Sequence, residues 1–193
     1  MNYSNYKMNA PTKRPQKRKT SGVGIFLIVL GIVLELYAGG LWGYNQYIQN
    51  KAEEAAADAL ADYQNGGSAY DYFGSITIES ANISLPIING YSNDILNVGA
   101  CVFDGSIEEG NLIVIGHNYR SVFGRLDLIK IGDTITINHN GTNYGYVVSG
   151  VTEIDASDKE QMYEGGGSVW NLTLYTCNFS GAGRITIRAV RSY

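Results

Sequence analysis

Residues 171–190 read NLTLYTCNFSGAGRITIRAV, the pattern of two short strands separated by a loop with two glycines. Alternate residues of a strand point to opposite faces, so Leu172 and Leu174 share one face while Cys177 lies on the other. Two isoleucines share one face of the second strand, and Arg184 lies on the opposite face. If the leucines and isoleucines face the core, a hairpin loop sets the thiol beside the guanidinium on the outer surface. Such a guanidinium favours the thiolate and can donate two hydrogen bonds to a carbonyl oxygen.

The chain after Tyr70 has the pattern of a small all-β domain. Short runs with a period of two are interrupted by Gly, Asn and Asp, which is typical of a barrel or a sandwich. A domain of about 120 residues is large enough to bury a hydrophobic core. The predicted strands are residues 75–79, 83–88, 111–116, 133–138, 144–154, 171–177 and 184–191, with short helical turns at 123–129 and 158–163.

The charge of the chain is divided sharply along its length. Six Lys or Arg residues precede residue 20, whereas all 18 acidic residues lie at or beyond Glu35. From residue 44 onward, 8 basic residues against 17 acidic ones give a net charge of −9. Nucleic acid is therefore an unlikely partner, because phosphate binding needs a basic face.

A membrane anchor is predicted next to the basic tail. Residues 22–42, GVGIFLIVLGIVLELYAGGLW, contain one charge in 21 residues, and such a helix spans roughly the 30 Å of a bilayer core. The aromatic residues Trp42 and Tyr44 follow the apolar stretch, as at a membrane interface, and a cleaved signal peptide would have a shorter apolar region. The positive-inside rule then places the N-terminus in the cytoplasm and the β domain outside the cell.

A second helix is predicted directly after the anchor. Residues 45–65 are rich in alanine and acidic residues and contain no Gly or Pro, and Gly66 and Gly67 then end the helix. Because its apolar stripe is mostly alanine, we interpret this helix as a spacer rather than a binding element.

Three ordered motifs between Ser75 and Val190 resemble those of sortases, the membrane-anchored cysteine transpeptidases of Gram-positive bacteria. Leu172–Cys177 (LTLYTC), followed by Arg184, resembles the TLxTC motif of the family. The other two motifs are IGHN at 115–118 with FGRL at 123–126 and LIKIGD at 128–133, and a weaker LPIING at 85–90 with Gly-Ser at 105–106 and Gly-Asn at 110–111. The resemblance implies a closed sortase-type β-barrel of about eight strands with short helices. It also implies four parts: a cytoplasmic basic tail 1–21, a transmembrane anchor 22–44, a helical spacer 45–68 and a catalytic domain 69–193.

The resemblance assigns a role to each candidate catalytic residue. Cys177 is the expected nucleophile, His117 the general acid and base, and Arg184 the group that binds the substrate carbonyl and stabilises the oxyanion. Substrates would be secreted proteins with an LPxTG-like sorting signal cleaved between Thr and Gly, and the acceptor an amine on a peptidoglycan precursor or a pilin. The expected substrate-binding residues are sequence neighbours of Cys177 and His117: Tyr175, Thr176 and Asn118.

Three other residues and one acidic pair are alternative candidates for a functional site, and each also has a structural interpretation. Arg188 shares the face of Arg184 but lies further from Cys177, and His139 sits in a hairpin-turn sequence as a solvated residue. Cys101 is expected to be a partly buried free thiol, with a disulfide to Cys177 as the alternative. No cofactor or metal is implied, because the pair Glu108–Glu109 is too small a ligand set for Ca²⁺.

The subclass has mixed signals. The chain ends after the last strand without a second apolar span, and residues 69–73 lack an Asp-Pro-aromatic lid motif, which argues against a pilin-polymerising sortase. Only about 15 residues, 155–169, precede the cysteine strand, too few for the class B insertion, although GHNY followed by FGRL looks like class B. A class D-like or unclassified relative is therefore expected.

Two functions from other classes remain open. An extracellular cysteine peptidase would use the same Cys/His pair with water as the acceptor. A non-enzymatic membrane-tethered β domain would bind a partner at a sheet edge, but binding alone does not require a thiol beside a guanidinium.

Overall fold

A computed structural model describes residues 22–158, 160–163, 167 and 169–192. By its internal contacts the chain divides between Gly43 and Tyr44 into two units. The expected basic tail at 1–21 lies outside the described residues.

The first unit contains the apolar part of a long helix, α1, which runs from Gly22 to Gln64. This helix is long and apolar enough to cross a membrane, and its apolar stretch is not buried against the rest of the described residues. On length and composition it is a candidate membrane span, as predicted for residues 22–44.

The second unit begins with the remaining turns of α1, and these turns pack on the β domain. Ala52, Ala56 and Ala59 are buried. The Tyr72 hydroxyl donates to an Asp62 carboxylate oxygen at 2.9 Å, and the Tyr63 hydroxyl donates to the Asn138 side chain at 3.1 Å. The spacer role of this segment stays a prediction, and the structure adds that its alanine stripe lets the helix backbone approach the barrel closely.

Eight strands lie among the described residues: β1 (Tyr72–Ile78), β2 (Ile83–Ile88), β3 (Ala100–Asp104), β4 (Leu112–Ile115), β5 (Thr134–His139), β6 (Thr142–Asp155), β7 (Leu172–Cys177) and β8 (Gly183–Arg191). They form a closed barrel in the order β1-β2-β3-β4-β7-β8-β6-β5. The short helices are α2 (Asn93–Leu96) and α3 (Glu160–Tyr163), with 3₁₀ turns at Glu79–Ala81 and Leu126–Leu128. The predicted closed barrel is confirmed, and all seven predicted strands are present.

One strand, β3, is missing from the sequence prediction. Its five residues, ACVFD, show no alternation of apolar and polar side chains. It joins the barrel by pairing in parallel with the end of β2, where Ile88 faces Cys101, and antiparallel with β4. Such pairing depends on distant parts of the chain and leaves no local pattern.

The core is built from the inward faces of the strands, as the alternation predicted. Leu172, Leu174 and Ile187 are completely buried, whereas Ile185 is partly buried. The β5–β6 hairpin turns at Asn140 and Gly141, which have φ values of +51° and +76°, so the expected turn is present. His139 precedes that turn, and its ring stacks on Phe73 instead of lying free in solvent.

Candidate active site

Three neighbouring strands carry the predicted catalytic residues at their ends. β4 and β7 pair in parallel, with Ile115 opposite Tyr175, and β7 and β8 pair antiparallel, with Cys177 opposite Arg184. His117 lies two residues beyond the end of β4, and the intervening Gly116 still donates to the Tyr175 carbonyl. Adjacent strands lie about 4.8 Å apart, so Cys177 and Arg184 are backbone neighbours and the His117 segment lies beside the end of β7. We refer to His117, Cys177 and Arg184 together as the Cys177 row. The predicted meeting of Cys177 and Arg184 at the outer surface is borne out by this register and by the partial exposure of both side chains.

Three hydrogen bonds hold the histidine segment against the cysteine strand. The backbone N–H of Gly116 donates to the carbonyl of Tyr175 at 3.2 Å, which continues the ladder beyond the end of β4. The Thr176 hydroxyl donates to the Gly116 carbonyl at 2.8 Å in the barrel interior. Further along, the Asn118 side-chain amide donates to the carbonyl of Asn178 at 3.2 Å. The residues on both sides of His117 are therefore tied to the residues on both sides of Cys177.

The glycine before His117 has a packing function. A Cβ at Gly116 would lie 2.8 Å from a ring carbon of Phe123 and 2.9 Å from a methyl group of Val122. Because these side chains are completely buried, neither can move away easily. The GH dipeptide and the FG dipeptide of the second motif thus depend on each other for packing.

The imidazole of His117 lies in a partly buried environment. The ring centroid of His117 is 5.1 Å from that of Tyr119. The backbone carbonyl of His117 accepts a hydrogen bond from the backbone N–H of Phe123 at 2.9 Å. Burial lowers the pKa of His117 below its ordinary value of 6.5, because a charged imidazolium loses hydration there. The neutral imidazole is therefore the main form at pH 7, and the imidazolium is a stronger acid than in solution.

The two cysteines differ in access to solvent. Neither forms a disulfide; Cys177 is partly exposed at the end of β7, and Cys101 is completely buried. Burial raises the pKa of Cys101 to about 12. The prediction of a free Cys101 thiol is confirmed, although the residue is more deeply buried than expected, and it is protonated and inert at neutral pH.

Arg184 and Arg188 point along the same outer face but have different partners. One terminal nitrogen of Arg184 donates to the carbonyls of Gly181 and Gly183, at 2.9 and 3.0 Å, which fixes the guanidinium at the β7–β8 loop. Arg188 stands opposite Thr173, stacks its guanidinium 4.1 Å from the Trp170 ring centroid, and donates to a carbonyl of α3 at 2.8 Å. Of the two arginines, only Arg184 stands opposite Cys177 in the β7–β8 register.

The three predicted substrate-binding residues occupy different environments. Asn118 is exposed and Tyr175 is partly exposed beside Arg184. Burial raises the pKa of Tyr175, and the charge of Arg184 acts in the opposite direction. Thr176 is 2% exposed, and its hydroxyl is already bonded to Gly116. The structure therefore shows an internal contact for this hydroxyl, and substrate binding by Thr176 stays a prediction.

Two residues that support the histidine loop were not predicted from the sequence. Gln49 of α1 accepts a hydrogen bond from the backbone N–H of Arg120 at 3.1 Å, and Tyr119 lies against the ring of His117. The bond between Gln49 and Arg120 joins residues 71 positions apart, so no local pattern could reveal it. For the inward position of Thr176 a signal did exist, because strand alternation puts it on the same face as Leu174.

A closed barrel with a cysteine, a histidine and an arginine at adjacent strand ends has the layout of a cysteine-dependent acyl-transfer enzyme. The sortase domain model matches residues 76–192, and the chain belongs to the sortase family. Sortase A of Bacillus anthracis is 31% identical over 109 residues, which cover 54% of this chain and 51% of that protein. The chain thus matches about half the length of this curated relative.

Solved structures share the fold. Sortase C1 from Streptococcus agalactiae superposes with a TM-score of 0.58 at 24% identity, covering 77% of this chain and 90% of that one. Clostridium perfringens sortase C, solved with the C-terminal cell wall sorting motif, has a TM-score of 0.56 at 21% identity, covering 81% and 99% of the two chains. At these identities the likeness supports the barrel fold.

Proposed function

We propose that this protein is a membrane-anchored cysteine transpeptidase that cleaves a sorting signal and transfers the cleaved protein to an amine. The observation that carries the proposal is the pairing of Cys177 with Arg184 on β7 and β8, with His117 two residues beyond the end of β4, the other neighbour of β7. Thiolate, imidazole and guanidinium are the three groups that acyl transfer through a thioester needs at one carbonyl.

In the first half-reaction, the Cys177 thiolate attacks the carbonyl carbon of the scissile Thr–Gly bond. The new C–S bond forms first and gives a tetrahedral intermediate; the C–N bond then breaks as the His117 imidazolium gives its proton to the departing glycine amine. Arg184 directs its remaining N–H groups at the oxygen that carries negative charge in the tetrahedral intermediate. The product is a thioester on Cys177 and a neutral imidazole.

In the second half-reaction, an amine attacks the thioester. The neutral imidazole of His117 takes the proton from this amine, a new amide bond forms, and the Cys177 thiolate leaves. The lowered pKa of His117 suits this step, because the neutral base is abundant at pH 7. Water in place of the amine would give hydrolysis, which is the alternative predicted from the sequence.

Substrate contacts are proposed for the exposed neighbours of this row. Asn118 and Tyr175 can reach a peptide on the outer face, and Thr176 holds the Gly116 carbonyl from the interior. A peptide of the LPxTG type is the proposed substrate class, in line with the C. perfringens relative that was solved with its sorting motif.

The apolar part of α1 supports an anchored enzyme. We place residues 22–44 in the membrane, the basic tail in the cytoplasm, and the β domain outside the cell, because basic residues remain on the cytoplasmic side. There the domain would meet secreted proteins, and the acceptor amine would belong to a peptidoglycan precursor or a pilin.

Product analysis tests the proposal. The chain is purified in detergent and incubated with an LPxTG-type peptide, with and without excess oligoglycine, and the products are identified by mass spectrometry. We expect cleavage after Thr and a ligated LPxT–oligoglycine product that depends on Cys177. Hydrolysis alone under excess oligoglycine would support a cysteine peptidase, and the absence of cleavage across related signals would contradict an enzymatic function.

A further inference from the structure

A second candidate binding site lies in a cleft between α1 and the barrel, away from the Cys177 row. The cleft has a volume of about 220 Å³. Its lining includes residues of α1, of the segment at the start of β2, and of the loop after His117: Glu53, Asn82, Ser84, Arg120, Ser121 and Arg125. With a water's share of liquid volume near 30 Å³, the cleft has room for a ligand larger than a single water.

Two arginines in this lining, the exposed Arg120 and the half-buried Arg125, have no counter-charge among the described residues. Within the described part of the chain, the guanidinium groups of Arg120 and Arg125 form no ion pair and no hydrogen bond; the bond of Arg120 to Gln49 uses the backbone N–H. Glu53 contributes a carboxylate to the same lining but pairs with neither arginine among the described residues. The formal charge of the lining is therefore +1, on a domain whose net charge is −9.

A buried hydroxyl in the same lining also lacks a partner. The Ser121 oxygen is inaccessible to solvent and has no hydrogen-bond partner among the described residues. Most buried polar side-chain atoms in proteins are hydrogen-bonded, so this unpaired hydroxyl marks an incompletely satisfied part of the loop that carries Arg120. Ser84 and the Asn82 amide add further donors to the wall.

We propose that this cleft binds a phosphate or diphosphate ester. Guanidinium groups match phosphate oxygens through paired, charge-assisted hydrogen bonds, and hydroxyl and amide donors can satisfy the remaining oxygens. The proposal is independent of the transpeptidase function, since it uses none of the residues of the Cys177 row. The loop that holds Arg120 and Ser121 begins at His117, so a bound anion would brace this loop against α1.

The carboxylate of Glu53 allows a sharp test. If the cleft binds an anion, Glu53→Gln removes a repelling charge and strengthens binding. If Glu53 instead serves as the counter-charge of the two arginines, the same change destabilises the protein and leaves anion affinity unchanged.

The binding experiment uses the full chain in nanodiscs of zwitterionic lipid, titrated with inorganic diphosphate by calorimetry and followed by thermal unfolding. We expect saturable binding, weakened about tenfold or more by Arg120→Gln or Arg125→Gln, because each removes a charge-assisted contact. Ser121→Ala should weaken diphosphate binding less than either arginine substitution does. The matched control is Arg191→Gln, which removes one positive charge outside the cleft, beside Tyr144, and should bind as the unaltered chain does.

A second arm distinguishes the source of the phosphate. Nanodiscs with anionic phosphatidylglycerol, without diphosphate, should raise the unfolding temperature through Arg120 and Arg125 if the ligand is a lipid headgroup, and should not if it is a diphosphate ester. Binding that is absent in both arms, or equal in the arginine variants and the control, would overturn the proposal. If an arginine variant misfolds, the direction of the Glu53→Gln effect decides the question.

Discussion

Replacing Thr176 with valine removes one hydroxyl from the barrel interior and leaves the shape of the side chain nearly unchanged. The hydroxyl donates to the Gly116 carbonyl at 2.8 Å, and the residue is 2% exposed, so water cannot replace the lost donor. The carbonyl that loses its partner directly precedes His117. The variant therefore tests whether this bond positions the imidazole.

The expected magnitude follows from the burial of the bond. Leaving a buried carbonyl without this partner costs about 1–3 kcal/mol in the free energy of unfolding. For a domain of this size, each kcal/mol lowers the melting temperature by about 2–4 °C, so a fall of about 2–12 °C is expected. A displacement of the imidazole by about 1 Å would lower kcat/KM about 100-fold.

The assays are differential scanning calorimetry and steady-state cleavage of an LPxTG-type peptide. Thr186→Val is the matched control for stability, because Thr186 is completely buried and its hydroxyl has no partner among the described residues. We expect the control to melt at the original temperature or above it. An unchanged melting temperature and activity in Thr176→Val would refute the positioning role. A rise in KM alone would support the substrate-binding role predicted from the sequence.

Three further predictions follow from the packing and charges of the domain. A fragment beginning at Tyr44 should fold and cleave peptide, whereas one beginning at Ala69 should melt lower by calorimetry, because it lacks the buried alanines of α1; equal melting of the two would show that this helix does not stabilise the barrel. Arg184→Lys should lower kcat/KM about 100-fold by removing the two-donor fork, with a smaller loss in Arg188→Lys, and the reverse order in the peptide assay would overturn the assignment. Because burial lowers the pKa of His117, the unfolded state takes up a proton first as the pH falls, so the free energy of unfolding should decrease below about pH 6.5. Chemical denaturation at pH 7.5 and 5.5 should show a smaller decrease in His117→Asn than in the unaltered chain. Equal decreases in the two proteins would contradict this.

Strand alternation explains why so much of the site could be predicted from sequence. The outward positions of Cys177 and Arg184 depend on local parity, and the short loop between them sets their pairing in the register. The same parity puts Thr176 inward. Thr176 was nevertheless predicted to bind substrate, because it lies next to Cys177 in the sequence. The local pattern predicted the inward position correctly there, and the substrate-binding role inferred from adjacency stays a prediction.

Long-range packing explains most of what was missed. The five residues of β3 are identifiable as a strand only through their neighbours in the barrel. The alanines of α1 have too little apolar surface to predict docking, yet Ala52, Ala56 and Ala59 are spaced to lie on one face of the helix and are buried there. The pairing of Gln49 with the loop after His117 likewise depends on the folded chain.

The most direct test of the central claim is to locate the acyl group. The chain is incubated with an LPxTG-type peptide without an acceptor, quenched in acid, digested with protease and analysed by mass spectrometry. We expect a thioester on the peptide that contains Cys177, in the unaltered chain and in Cys101→Ala, and none in Cys177→Ala. An acyl group on Cys101, or full cleavage by Cys177→Ala, would contradict it.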